Sequence, residues 1–186
     1  YIIIQMKFSV NQKDLQQSLG FCQGVIEKRS TLPILSNILL EAYNSKLKIT
    51  ATDLDLIFIN EINDVEVIEE GKTTTTSSTL YDIIRKFSSG KKINFNLTTE
   101  NKIQLESEKS VFNLNCMSAD EFPLMEENFT ENEFVLKSKQ FLKLLSKCKF
   151  SISTDETRHY LSGIYFHQTQ VDDKHYLTAA ATDSHR

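Results

Sequence analysis

Residues 35–38, which read Leu-Ser-Asn-Ile, return 126 positions later as Leu-Ser-Gly-Ile at residues 161–164. The same offset relates four further identical pairs: Phe8 and Phe134, Lys13 and Lys139, Leu19 and Leu145, and Thr31 and Thr157. After a four-residue insertion, Ala51-Thr52-Asp53 falls on Ala181-Thr182-Asp183. A period that holds across separate segments indicates a repeated structural unit.

The repeat divides the chain into two domains. Residues 6–130 form one complete domain, and residues 131–186 form the N-terminal half of a second. Tyr1–Gln5 precede a natural start at Met6 and are interpreted either as an upstream extension or as added residues. Because half a domain leaves an open sheet edge and an uncovered core, we expect this sequence to be a fragment of a longer protein.

Hydrophobic periodicity predicts the order βαβββ twice within residues 6–130. Lys7–Val10 alternates as a strand does, and Asn11 can cap a helix whose apolar residues are spaced by three and four. The other predicted strands are Ile34–Ala42, Leu47–Thr52, Leu56–Ile62, Lys72–Ser77, Ile93–Leu97, Lys102–Ser107 and Val111–Cys116, with a second helix at Thr79–Phe87. Two helices on one side of antiparallel sheets make an α+β fold.

Composition excludes several classes of protein. The chain is 40% apolar and 25% charged, which is ordinary for a soluble globular protein. No apolar run approaches the roughly 18–20 residues that cross a bilayer, so we expect no membrane partner. Three widely spaced cysteines, Cys22, Cys116 and Cys148, indicate buried free thiols in a reducing cytoplasm.

Positive charge is concentrated in two segments of an acidic chain. Lys137–Lys149 and Thr79–Lys92 together hold nine basic residues and one acidic residue, which leaves a net charge of −12 elsewhere. Lys139, Lys143 and Lys147 share one helix face. The opposite face carries Phe141, Leu142, Leu145 and Cys148, which we expect to pack against a sheet. Such lysines suit contact with phosphates, although a solvated surface is the plainer alternative.

The sequence offers weak candidates for catalysis or metal binding. Asp53 and Asp55 resemble a metal-binding carboxylate pair, but Asp53 recurs as Asp183, which favours a structural role at a strand end. Asp183, Ser184 and His185 are adjacent, so they cannot form a proton relay in extended chain. We therefore predict no catalytic residue, no metal and no cofactor. An enzyme with a carboxylate site at Asp53 and Asp55 and a plain protein-interaction domain remain the alternatives.

Six ordered motifs resemble those of the bacterial DNA polymerase III β subunit, the sliding-clamp family. They are Met6-Lys7-Phe8, Arg29-Ser30-Thr31-Leu32-Pro33-Ile34-Leu35, Thr52-Asp53-Leu54, Ala119-Asp120-Glu121-Phe122-Pro123, Arg158-His159-Tyr160-Leu161-Ser162-Gly163 and Ala181-Thr182-Asp183-Ser184-His185-Arg186. The resemblance implies a DNA-clamp fold with three similar domains per subunit, of which the third is absent from this sequence. It also implies a head-to-tail homodimeric ring that encircles DNA and acts as a processivity factor, not as a catalyst.

The resemblance also implies roles for individual residues and partners. It implies that Arg29, Arg158, His159 and Tyr160 contact double-stranded DNA, and the charge pattern adds Lys139 and Lys143 to these expected contacts. The residues expected to line a pocket for clamp-binding peptides are Leu161, Thr182, Ser184, His185 and Arg186. Phe112, Asn113 and Leu114 are expected at the subunit interface. The implied protein partners are the polymerase III catalytic subunit, the clamp loader and other proteins that carry such peptides.

Three positions depart from the family pattern. The family usually has glycine where this chain has Ser184, more often has tyrosine where it has His159, and commonly has a neutral residue where it has Asp155. The first departure could alter the end of a strand, and the second would weaken stacking on DNA. The third adds a negative charge three residues before Arg158, in the segment expected to contact DNA.

Overall fold

A computed structural model describes residues 5–26, 32–98, 101–124 and 135–186. The chain divides into two compact units, Tyr1–Glu127 and Asn128–Arg186. The first unit contains β1 Lys7–Asn11, α1 Gln12–Cys22, β2 Asn37–Tyr43, β3 Lys46–Thr52, β4 Ile57–Ile62, β5 Glu66–Glu69, β6 Gly71–Thr76, α2 Ser77–Ile84, β7 Lys92–Leu97, β8 Lys102–Ser107 and β9 Ser110–Met117. The second contains α3 Ser138–Cys148, β10 Tyr165–Val171 and β11 Lys174–Ala180. Short 3-10 helices lie at Pro33–Ser36, Ala119–Glu121, Lys149–Ser151 and Glu156–Leu161.

The nine strands of the first unit form one antiparallel sheet in the order β4-β3-β2-β6-β9-β8-β7-β1-β5. The first strand of each βαβββ repeat pairs with the other repeat, because β1 pairs with β7 and β6 pairs with β2. Among the described strands, the two halves of the sheet pair where Thr74 and Thr75 of β6 face Met117 and Cys116 of β9. The predicted duplication and α+β class are confirmed, with an exchange of first strands between the repeats.

Both helices of this unit bury their apolar stripes in one core. Asn11 caps α1 as predicted, since its side-chain oxygen accepts the Lys13 backbone N–H at 2.9 Å. The Gln12 side chain donates to the Ile84 carbonyl at the end of α2 at 2.9 Å. The core residues supplied by the helices are Leu15, Leu19 and Cys22 from α1 and Leu80 and Ile84 from α2. The helices therefore lie side by side on one face of the sheet.

In the first unit, one predicted strand began too early, one strand was missed, and the helix predicted at Thr79–Phe87 lies at Ser77–Ile84. The strand predicted at Ile34–Ala42 begins only at Asn37, because Pro33–Ser36 forms a 3-10 helix. The fixed φ of proline suits the first position of a helix, and Pro33 occupies it. The strand β5 was not predicted at all. It is a four-residue edge strand that pairs with β1 and carries glutamates at both ends.

The second unit repeats features of the first with far less burial. The β2–β3 turn at Asn44 and Ser45 has φ values of 46° and 57°, and the β10–β11 turn at Asp172 and Asp173 has values of 48° and 56°. Positive φ at both central residues is what a type I′ hairpin turn requires. Helix α3 packs on the β10–β11 hairpin through the stacked rings of Phe141 and Phe166, whose centroids are 5.8 Å apart.

The prediction that Leu142 packs against the sheet was wrong. Its side chain is 63% exposed. Leu142 lies at the rim of an open apolar groove of about 600 Å³, lined also by Leu136, Phe141, Phe166 and Leu177. The described hairpin contacts Phe141 through Phe166 but leaves most of the Leu142 side chain uncovered.

Candidate nucleic-acid interface and partner pocket

Helix α3 presents a positively charged face, which we call the lysine face, formed by Lys139, Lys143 and Lys147. All three side chains are exposed. No acidic group of the described residues lies within ion-pair distance of them. The opposite side of the helix holds the half-buried Phe141 and Leu145, as the spacing predicted. The lysine face can therefore bind a polyanion without breaking an existing ion pair.

The basic residues around α2 differ from the lysine face, because three of them lie close to an acidic side chain. Arg85 lies 3.8 Å from Asp82, Lys91 lies 3.3 Å from Glu108, and Lys92 lies 3.0 Å from Glu66. Exposed pairs of this kind contribute little to stability, but each acid offsets the charge of its partner. Unpaired positive charge is thus more concentrated on α3 than around α2.

The segment Glu156–Leu161 holds three of the predicted DNA contacts. Asp155 caps it, because the Asp155 Oδ1 accepts the Thr157 backbone N–H at 3.0 Å. Within the segment, Arg158 has the non-helical angles φ −117° and ψ 53°. The next two rings, His159 and Tyr160, pack edge to face with centroids 6.0 Å apart. Tyr160 is 72% exposed, so its ring is accessible for stacking or for contact with a sugar-phosphate backbone.

Arg158 connects this segment to the C-terminal turn. Its Nε donates to Asp155 Oδ2 at 2.8 Å, and its Nη1 donates to Ser184 Oγ at 3.1 Å. The hydroxyl of Thr157 and then the guanidinium of Arg158 lower the pKa of the Asp155 carboxyl below its ordinary value. The structure therefore links a predicted DNA contact, Arg158, to a predicted pocket residue, Ser184.

Leu161 differs in exposure from its repeat mate. Both residues lie in 3-10 helices, and Leu35 is only 4% exposed whereas Leu161 is half-buried. The carbonyl of Leu161 accepts the Ser153 backbone N–H at 3.1 Å, which fixes the end of its segment. Leu161 is accordingly not a fully buried core residue in the described chain.

The predicted pocket residues Thr182–Arg186 form a tight turn after β11. Thr182 Oγ1 accepts the Ser184 N–H at 3.1 Å, and Asp183 Oδ1 accepts the N–H groups of His185 and Arg186 at 2.9 and 3.1 Å. The His185 N–H and the Arg186 side chain help to lower the pKa of the Asp183 carboxyl. The Arg186 guanidinium lies 5.5 Å from the centre of the Phe150 ring. Asp183 thus orients the side chains around it.

The first unit contains the same turn. Thr52 Oγ1 accepts the Leu54 N–H at 3.0 Å, and Asp53 Oδ1 accepts the N–H groups of Asp55 and Leu56 at 3.0 and 2.7 Å. Asp53 therefore has a structural role, as its recurrence predicted, and this geometry weakens the metal-site alternative. Across the described ranges, no three His, Cys, Asp or Glu side chains cluster as metal ligands would.

Strand β9 carries the predicted subunit-interface residues and has a free edge. The Cys116 N–H donates to the Asn101 carbonyl on the β8 side at 2.8 Å. Antiparallel strands direct the backbone groups of alternate residues to opposite sides. The backbone N–H and C=O groups of Phe112 and Leu114 therefore also point toward β8. The backbone groups of Val111 and Asn113 point away from β8, and the described part of β6 pairs with β9 at Cys116 and Met117. Among the described residues, no strand pairs with the backbone groups of Val111 and Asn113 on that side.

The sequence interpretation missed several contributors and one of its residues cannot be placed. Arg29 lies outside the described residues. Phe150 beneath Arg186, Asp183 within the turn and Val111 on the free edge were not singled out as site residues. The pattern Asp-x-Thr at residues 155–157, typical of a side-chain-capped turn, could have indicated the role of Asp155. Within the described part of the chain, no helix is long and apolar enough to cross a bilayer.

Comparison with known proteins gives matches over both units. The DNA polymerase III beta subunit N-terminal domain matches residues 6–126, and the central domain of that subunit matches residues 135–186. The beta sliding clamp of Caulobacter vibrioides (strain NA1000 / CB15N) is 36% identical over 182 residues, and that of Escherichia coli (strain K12) is 33% identical over 181. These alignments cover 97% of this chain but 49% and 48% of the relatives, so the chain spans about half their length.

Solved structures show the same likeness. The crystal structure of the beta sliding clamp of Caulobacter crescentus with bound PEG has a TM-score of 0.93 and 35% identity, and covers 98% of this chain and 49% of that one. A sliding clamp from Bartonella birtlesii, DNA polymerase III subunit beta bound to griselimycin, has a TM-score of 0.92 and 36% identity. That match covers 97% of this chain and 48% of the other.

Proposed function

Because this chain belongs to the DNA polymerase III beta subunit family, we propose that it forms about half of a sliding-clamp subunit. The complete protein would encircle double-stranded DNA and tether the replicative polymerase in the bacterial cytoplasm. Its role would be topological and not catalytic, because a closed ring stays on DNA without tight binding. Weak, salt-sensitive contacts with phosphates then permit sliding.

The lysine face of α3 is the observation that carries the proposed DNA contact. Lys139 and Lys143 are exposed and lack acidic partners among the described residues. Point charges without base-reading side chains suit a protein that binds every DNA sequence equally. Arg158, His159 and Tyr160 would add a second group of contacts, with Tyr160 providing the most exposed ring. Arg29 is proposed as a further contact on the strength of the family resemblance alone.

The turn at Thr182–Arg186, together with Leu161, would form one side of a pocket for clamp-binding peptides. Leu161 is half-buried, so part of its surface remains available for an apolar anchor of the peptide. His185 and Arg186 are exposed and supply donors for carbonyl or acidic groups. We propose the polymerase III catalytic subunit, the clamp loader and other proteins with such peptides as the occupants. The griselimycin complex of the Bartonella relative is consistent with a peptide site in this family.

The free edge of β9 would join one subunit to the next. Val111 is 53% exposed, and its backbone groups and those of Asn113 have no strand beside them in the described chain. Phe112 packs edge to face on Phe87, with ring centroids 5.7 Å apart, which holds this part of the strand against the segment after α2. A strand of the neighbouring subunit could extend the sheet here and close a homodimeric ring.

Replacing both Lys139 and Lys143 by glutamate in the full-length protein tests the proposed function. Binding of a short fluorescent duplex is measured by anisotropy over a series of salt concentrations. Each lost phosphate contact lowers the salt slope by about 0.9, so the double variant should lower it by roughly two. Neither side chain contacts the core, so the melting temperature should not change.

The matched control is the double variant Lys109→Glu/Lys174→Glu, which changes the net charge equally. These lysines are exposed beside hairpin turns and lie outside the proposed contact surface. The control should keep nearly the wild-type slope. If the two double variants weaken DNA binding equally, Lys139 and Lys143 only solvate the surface. If the wild-type protein does not bind duplex DNA at low salt, the proposed function is wrong.

A further inference from the structure

The guanidinium of Arg158 is partly occupied by the protein itself. Its Nε–H is bound to Asp155 Oδ2 and one N–H of Nη1 to Ser184 Oγ, so the second N–H of Nη1 and both of Nη2 remain available among the described residues. A guanidinium binds phosphate best through two parallel N–H groups, formed by Nη2 with either Nε or Nη1. Nε has a single N–H, and Asp155 holds it. Arg158 must therefore release Asp155 before it can bind a phosphate through Nε and Nη2.

The two oxygens of Asp155 have separate tasks. Oδ1 accepts the backbone N–H of Thr157 at 3.0 Å and its hydroxyl at 2.6 Å. Oδ2 binds Arg158. The turn thus fixes the carboxylate, and the carboxylate in turn fixes the guanidinium three residues later. A neutral side chain at this position could not form the ion pair, so the arrangement depends on the acid.

We propose that Asp155 is a positioning residue that competes with DNA phosphates for Arg158 and so weakens the contact of the clamp with DNA. This inference rests on the proposed function, in which Arg158 faces DNA. While Arg158 is paired with Asp155, the pair is neutral and its approach to DNA releases no net counterion. Removal of the acid frees one positive charge at the same place. Asp155 would thereby keep the contact loose enough for sliding.

The replacement Asp155→Asn separates the two tasks of the side chain. The Asn oxygen can still accept the Thr157 N–H, but its NH₂ group cannot accept a hydrogen bond from Arg158. Asp155→Ser is a second variant, because serine also caps such a segment without carrying charge. In the full-length protein, both should tighten binding of a short duplex about two- to fivefold, the range for loss of an exposed ion pair. The salt slope should become steeper by about 0.9.

Asp173→Asn is the matched control, since it removes the same charge from an exposed hairpin turn where asparagine fits the positive φ. It should change the affinity and slope much less than Asp155→Asn. Combining Asp155→Asn with Arg158→Gln should abolish the extra gain, because the acid acts only through the arginine. An unchanged melting temperature would show that the turn is intact.

The outcomes distinguish this inference from the proposed function. If Lys139→Glu/Lys143→Glu weakens DNA binding but Asp155→Asn behaves like Asp173→Asn, the clamp function stands and the role of Asp155 is wrong. A gain in DNA affinity from Asp155→Asn that persists in the Arg158→Gln background also overturns the role of Asp155. The effect would then come from removing a negative charge and not from freeing Arg158. Absence of any duplex binding by the wild-type protein would overturn both.

Discussion

Ser184 carries a side chain in a backbone conformation that suits glycine. Its φ is 77°, and the equivalent Leu54 in the first unit has a φ of 81°. The turn imposes this conformation, because Thr182 and Asp183 bind three successive backbone N–H groups. The departure from the usual glycine therefore does not change the path of the chain. Its consequence is strain at one residue of the proposed pocket.

Ser184→Gly should relieve this strain. Glycine occupies positive φ without steric penalty, whereas an alanine there is destabilising by about 1 kcal/mol relative to glycine. We therefore expect Ser184→Gly to be about 1 kcal/mol more stable than Ser184→Ala in urea denaturation of the full-length protein. Both variants lack the hydroxyl that accepts from Arg158, so the comparison isolates the backbone. Equal stability of the two variants would show that the turn relaxes when serine is removed.

At the scale of helices and strands, local sequence signals were sufficient to predict an element where they agreed with the tertiary packing. The Asn11 cap, the apolar spacing of α1 and the recurring Thr-Asp turn all follow from neighbours within a few residues. The edge strand β5 was missed because a short strand with glutamates at both ends has little of the apolar alternation typical of strands. The exposure of Leu142 was missed because the helix pattern does not reveal how far the opposing strands extend.

Two glycines provide a test of how tightly the elements of the first unit pack. A Cβ at Gly20 of α1 would lie 3.8 Å from the Tyr81 ring of α2, which is ordinary contact. A Cβ at Gly71 would lie 2.6 Å from the Gln5 carbonyl oxygen and 2.9 Å from Met6 Cβ. Gly20→Ala should raise the free energy of unfolding by about 0.5–1 kcal/mol through helix propensity. Gly71→Ala should lower it by about 1–3 kcal/mol through overpacking.

Thermal and urea unfolding of the two variants measure these effects. Both variants make the same change from glycine to alanine, so they can be compared directly. Met6 is fully buried, so it cannot move away from a new methyl group at residue 71 without disturbing the core. A destabilised Gly20→Ala would mean that α1 and α2 approach more closely than 3.8 Å allows. A fully tolerated Gly71→Ala would mean that β6 shifts freely against the residues before β1.

At the scale of the first unit, the exchange of first strands ties the two repeats into one sheet. Because β1 completes the half that contains β7, and β6 completes the half that contains β2, neither repeat has a complete sheet alone. This pairing joins residues far apart in sequence, so periodicity within a segment could not predict it. Among the strands that the structure describes, the same topology leaves the N-terminal part of β9 unpaired on one side. The edge is therefore a product of the whole fold.

Proline substitution on β9 tests whether this edge joins subunits in the full-length protein. The N–H of Asn113 faces away from β8, so Asn113→Pro removes no backbone hydrogen bond within the sheet, only the exposed 3.4 Å bond that Gln104 Nε2 donates to the Asn113 side chain. Proline is tolerated on such an edge. It does remove the donor that a neighbouring strand would use. We expect the variant to keep a melting temperature close to that of the wild type while the dimer dissociates at micromolar concentration, as measured by sedimentation.

Phe112→Pro is the matched control one residue earlier on the same strand. The N–H of Phe112 faces β8, so its loss breaks a bond within the sheet and should lower the melting temperature. The two variants differ in the side of β9 that the lost N–H faces and in the Phe112 ring, which packs on Phe87, so Phe112→Ala is measured beside them to give the effect of losing the ring alone. If Asn113→Pro remains a dimer at an unchanged melting temperature, the subunits do not join by strand pairing at this edge. Phe112, Asn113 and Leu114 would then have to be removed from the proposed interface.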